Sequence, residues 1–102
     1  MKDKVMVGML SVVAVLAIPQ LVNAYTGEEL SNQTAIPLEK ARSIALKAVP
    51  GEITDTELEN EKGGSGLRYS FVISAKGVQH EVGVDALSGM ILENKLEGPN
   101  PD

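Results

Sequence analysis

At Pro50-Gly51 the apolar period of this chain changes from 3.6 to 2, and that switch constrains the fold more than any other feature. Before it, Ala41, Ile44, Ala45, Ala48 and Val49 fall at i, i+3, i+4, i+7 and i+8, one apolar stripe of a helix, with Lys40, Arg42, Ser43 and Lys47 on the other side. Pro37 suits the first helical position, where its missing N–H would have no partner. Glu39 in the first turn and Lys47 in the last agree with the helix dipole. After the switch, Ile53 to Glu61 alternates: Asp55, Glu57, Glu59 and Glu61 on one side, Thr54, Thr56 and Leu58 on the other. Leu67 to Ser74 follows with Leu67, Tyr69, Phe71 and Ile73 on one face, then Val78 to Asp85 with Val78, His80, Val82 and Val84 together. Met90-Ile91-Leu92 begins a short last strand. The connections Lys62 to Gly66, Ala75-Lys76-Gly77 and Asp85 to Gly89 are short and rich in glycine, so neighbours in sequence become neighbours in space. The expected fold is α+β: one N-terminal helix packed on an antiparallel sheet of three to four strands. Its core should be Tyr69, Phe71, Ile73, Val82 and Val84 under Ala41, Ile44, Ala45 and Ala48.

The ends of the chain read differently. Met1-Lys2-Asp3-Lys4 leads into 14 uncharged residues, Val5 to Ile18; Pro19 and Gln20 break the run, and Val22-Asn23-Ala24 places small or modest side chains at a cleavage site. Such a run falls short of the roughly 20 residues that span a bilayer and has the layout of a secretory signal. Residues 1–24 are therefore expected to be removed, leaving no stable membrane anchor. Residues 25–35 lack periodicity and read as a flexible arm, 36–97 as the folded domain, and 98–102 as a tail.

Charge and composition narrow the function. The whole chain carries 9 basic and 14 acidic residues; without Lys2, Lys4 and Asp3 it keeps 7 and 13, a net charge of −6. That balance argues against nucleic acid and anionic membranes as partners. There is no cysteine, so disulfides and acylation through an N-terminal cysteine are excluded. A small domain without staples buries a modest share of its surface, and a partner or a second copy in a dimer is an expected source of extra stability. The lone His80 shares strand parity with valines and reads as structural; it leaves no multi-histidine metal site and no converging catalytic set. The acidic ladder lacks the glycine and bidentate glutamate of a calcium loop and reads as a solvated face that guards an edge. No catalytic residue, cofactor or metal is expected. With the opposite parity taken by the core, the partner-facing candidates are Arg68, Ser70, Gln79 and Glu81.

Leu38-Glu39-Lys40-Ala41 to Ala48-Val49-Pro50-Gly51, Tyr69 to Ile73, and Glu81-Val82-Gly83-Val84-Asp85-Ala86-Leu87-Ser88-Gly89-Met90-Ile91 together resemble the PepSY domain. The Val-Asp-Ala-x-x-Gly turn before an apolar strand is its best marker. Pro37 departs from the pattern, standing where relatives often carry a serine or threonine cap. The resemblance implies a small extracytoplasmic domain, secreted or periplasmic in a bacterium, of a kind found in propeptides of thermolysin-like peptidases. It implies inhibition or regulation of an exported protein partner, with a metallopeptidase as the partner type, and, with no peptidase domain after it, action in trans. The other reading is an envelope module that senses a small ligand or signal; that needs an enclosed apolar pocket, where protein binding needs a continuous face or strand edge.

Overall fold

A computed structural model describes residues 24–97; the expected leader, apart from Ala24, and the expected tail lie outside the described residues. Helix α1 (Leu38–Ala48) is followed by β1 (Glu52–Asn60), β2 (Leu67–Ala75), β3 (Val78–Asp85) and β4 (Ile91–Leu96). The strands form one antiparallel sheet in the order β1-β2-β3-β4, a plain meander. This is the α+β arrangement the periodicity predicts, with the fourth strand running four residues beyond Leu92.

Pro37 sits one residue earlier than expected, at the N-cap, in an extended conformation. Its carbonyl accepts from Lys40 N at 3.0 Å and Ala41 N at 3.1 Å, so the helix starts without a side-chain cap. At the other end Val49 N donates to Ala45 O at 2.9 Å before Pro50 stops the turn. Ala41, Ala45 and Val49 are buried, Ile44 is half-buried, and Ala48 is exposed. Ala48 therefore leaves the expected core set: the helix crosses the sheet along the i, i+4, i+8 line, and Ala48 lies off that line at the helix end. Small alanine side chains let the helix lie close to β2 and β3.

Below the helix, Tyr69, Phe71, Ile73, Val82 and Val84 are buried as expected, joined by Leu58, Leu67 and Ala86. Register explains the layering: Leu58 and Val84 flank Tyr69, and Thr56 and Val82 flank Phe71. The Tyr69 and Phe71 rings stack with centroids 6.1 Å apart. Tyr69 keeps its hydroxyl satisfied by donating to Ile36 O at 2.7 Å, while Ala35 N and Ile36 N both donate to Ala86 O. The segment leading into the helix is thus tied to the centre of the sheet and to the β3–β4 turn.

Two local readings change. A bulge between Ile53 and Asp55 breaks the alternation expected of β1, so Ile53, facing Ile73, joins the helix side, and Glu61 falls beyond the strand end. Residues expected to form a flexible arm instead contain a 3-10 helix, Glu28–Gln33. Thr26 bridges Glu57 in parallel, Leu58 N donates to Thr26 O at 2.8 Å, and Tyr25 and Leu30 pack on the core. A six-residue 3-10 turn has no period long enough to read; what holds it is backbone bonding to β1 and two apolar side chains.

Candidate functional site

The sheet has one face under the helix and one open. Alternation puts Arg68, Ser70 and Val72 of β2, Gln79, Glu81, Gly83 and Asp85 of β3, and Glu93 and Lys95 of β4 on the open face. Asp55, Glu57 and Glu59 of β1 complete it. All four partner-facing candidates lie here, but they are not equivalent. Gln79 and Glu81 are half-exposed, whereas Arg68 and Ser70 are each 7% exposed. Most of their polar groups are used within the chain, while Arg68 Nε is buried without a hydrogen-bond partner among the described residues. Ser70 Oγ donates to Glu59 Oε2 at 2.8 Å. Arg68 lies across Gly83, its Nη1 donating to Glu93 Oε1 at 3.1 Å and its Nη2 to Lys62 O at 3.0 Å. Parity alone could not show this, because it assigns a face and not what the neighbouring long side chains cover. Arg68 and Ser70 position Glu93 and Glu59; the carboxylates are what the face presents.

The electrostatics follow. Crowding on β1 raises the Glu57 carboxyl above its usual range: partial burial acts first, then the charges of Glu59 and Asp55. Glu81 faces Lys95 across the β3–β4 pairing. It is pushed up to about 7, chiefly by partial burial, then by a hydrogen bond with Glu97 and by the charge of Glu93. Lys95 holds Glu93 Oε2 at 3.1 Å. The open face can therefore attract a cationic surface and hold protons near neutrality. Among the described residues no group of three or more histidines and carboxylates is arranged to hold a metal ion. His80 lies on the helix side between Ile73 and Leu96, half-buried, away from these carboxylates.

A second cluster went unread in the sequence. Asp85, 2% exposed, sits at the end of β3. Its Oδ1 accepts from Leu87 N at 2.8 Å, Ser88 N at 3.1 Å and Ser65 Oγ at 2.9 Å, and its Oδ2 from Ser65 N at 2.6 Å. Burial alone would raise this carboxyl, yet the three backbone N–H groups and the serine hydroxyl outweigh it and hold it down at about 2. One side chain thus fastens the glycine-rich β2 entry loop to the β3–β4 turn. Gly64, at φ 56°, is required beside it, since a Cβ there would run into Asp85 Oδ2. The legible signal was Asp85 followed by free backbone N–H groups two and three residues on, the chemistry of an Asx turn.

Among the described residues, two of the surface hollows are open to solvent. One of about 390 Å³ is lined by Tyr25, Arg42, Thr54 and Asp55 among others, and one of about 360 Å³ by Val49, Pro50, Lys76 and His80 with two alanines. Among the described residues no helix is long and apolar enough to cross a membrane.

The sequence profile of the PepSY domain, described as peptidase propeptide and YPEB domain, matches residues 35–95. That span runs from the strap bonded to Ala86 through the helix and into β4, taking in the Asp85 turn. No curated protein and no solved structure matches the chain. The profile covers more than half of the chain, from the strap before the helix into the last strand, and the chain belongs to the PepSY family.

Proposed function

We propose that this protein is an exported, non-catalytic binding module that restrains or regulates a secreted or envelope peptidase. The observation that carries the reading is the match of a peptidase-propeptide domain to residues 35–95, which take in the helix and all but the last residue of the sheet. The open face supports it: Glu57 and Glu59 on β1, and Glu81 and Glu93 across β2 from them, put four carboxylates on one side of the sheet, an acidic face suited to a basic loop of a partner protein. Ligand sensing is less favoured, because both hollows described above are open to solvent and neither is an enclosed apolar pocket.

The test is titration of the exported protein into thermolysin-like peptidases of the same host, following binding and proteolysis together. The expected result is inhibition that weakens with added salt, with slow or no cleavage of the domain. Digestion as an ordinary substrate by every peptidase tried, with no envelope protein captured, would overturn the reading.

Export itself belongs to the proposal, motivated by the apolar run Val5 to Ile18 and the exit at Val22-Asn23-Ala24. The exported form should have the mass of a chain beginning at Tyr25. An intact N-terminus in the membrane fraction would identify an anchor.

A further inference from the structure

The two edges of the sheet are finished differently. Along β1 the outer side is closed near its middle, where Thr26 bridges Glu57 and accepts from Leu58 N. Gly27 lies so close there that a Cβ would run into the Leu58 carbonyl. The bulge at Thr54 interrupts more of that edge. At the other edge, β4 has no strand beyond it among the described residues. Among the described residues, the large apolar side chains left exposed gather around it: Leu87 at 44%, Met90 at 63%, Ile91 at 39% and Leu96 at 63%. An uncovered edge with apolar flanks is a template for strand pairing.

What fits that edge can be read from its own phase and charge. Glu97 N donates to Gln79 O at 2.7 Å. In an antiparallel ladder this turns the backbone groups of residues 93, 95 and 97 toward β3 and those of Asn94 and Leu96 outward. Glu93 and Lys95 flank Asn94 with opposite charges on the open face, and Glu93 is held in place by Arg68. We infer that β4 pairs with β4 of a second copy, antiparallel, about a twofold axis through Asn94. This axis sets the outward backbone groups of the two Asn94 residues against each other. It places Glu93 of each copy opposite Lys95 of the other, twice by symmetry. It also carries Leu96 of one copy to the strand end where Met90 and Ile91 of the other are exposed. An axis through Lys95 would put the backbone groups out of phase and two like charges face to face. One through Leu96 keeps the phase and sets Lys95 against Glu97, but β4 ends at Leu96 and almost none of the strand would overlap, so the register at Asn94 is favoured. The pair is an eight-stranded sheet, and its contact is small, so association is weak and concentration-dependent. It stands whether or not the domain restrains a peptidase, since the carboxylate face stays open in the pair.

Because the chain has no cysteine, Asn94→Cys supplies a single thiol at the self-opposed position. Facing Cα atoms of a hydrogen-bonded antiparallel pair are about 5.5 Å apart, within disulfide reach. With the full chain produced in its exporting cell and mildly oxidised, Asn94→Cys should form a disulfide-linked homodimer at least about tenfold faster than Asn60→Cys at the far edge. Adding Lys95→Glu, which sets carboxylates against each other across the axis, should slow that cross-link about tenfold while the reduced protein still melts cooperatively. Equal rates at both positions, indifference to Lys95→Glu, or cross-linking of Asn94→Cys mainly to a different protein would overturn the second copy as the occupant.

Discussion

Phe71→Ala should leave the domain largely unfolded at room temperature. Phe71 is 0% exposed at the centre of β2, with Thr56 on one side, Val82 on the other and the Tyr69 ring stacked against it. Truncating a buried phenylalanine typically costs about 3–5 kcal/mol, through lost transfer energy and the cavity left behind. The chain has one phenylalanine and no tryptophan, and the helix above the sheet offers Ala41 and Ala45, which cannot reach down to fill a hole. A domain of this size without disulfides has stability of about that same magnitude. Circular dichroism of the chain from Tyr25 onward should therefore show lost sheet signal and no cooperative melt. A transition close to the parent's would mean the sheet core can close around the missing ring.

The contrast between core and open face explains what the sequence could reveal. Burial of Tyr69, Phe71, Ile73, Val82 and Val84 follows from alternation, because a strand with one apolar side has one way to face a helix. Arg68 and Ser70 share a face with Gln79 and Glu81 by the same rule, yet their burial depends on how far Glu59 and Glu93 reach from neighbouring strands. That is a matter of register between strands, which alternation within one strand does not contain. The 3-10 helix at Glu28–Gln33 was hidden for a related reason: its support is long-range, through Thr26 to Leu58 and through Tyr25 and Leu30 to the core.

Edges and faces also divide the work of the fold. β1, whose acidic residues read as edge protection, is further covered by residues 25–27. β4 and the turn before it carry the exposed large apolar residues, and β4 carries the Glu93–Lys95 charge pair. The carboxylates between them stand on a sheet whose rigidity comes from the opposite side, so a partner can dock without disturbing the core.

The stability of this domain should peak in mildly acidic solution, with a limb on each side that one carboxylate dominates. Asp85 has its pKa lowered from 3.8 to about 2 in the folded chain. A depressed carboxyl contributes stability that is present above the unfolded value and is lost as pH falls through the folded one, so the acid limb lies between about pH 4 and pH 2. Glu81 is the opposite case, raised from 4.5 to about 7. Its contribution is full below 4.5 and is lost as pH rises through 7, because the folded chain must then accept a charge that is partly buried and crowded by Glu97 and Glu93. Thermal melts from pH 2 to pH 8 should rise to about pH 4 and decline from about pH 4.5 toward neutrality. Asp85→Ala removes the acceptor for Ser65 N, Leu87 N and Ser88 N at once. Those donors lie near solvent and water can replace part of the loss, so the cost should be about 3 kcal/mol at pH 5, enough to lower the melting temperature by more than about 10 °C in a domain this small. Asp85→Asn keeps the Oδ1 bonds, turns an amide donor or a displaced group toward Ser65 N, and should cost roughly half as much while erasing the acid limb. Glu81→Gln should flatten the neutral limb and leave the acid one in place, with a gain of about 5 °C near pH 8 after solvent screening is allowed for. If Asp85→Ala melted with the parent at pH 5, the turn would be held by its backbone alone; if Glu81→Gln left the slope above pH 4.5 unchanged, the proton would reside elsewhere on the face.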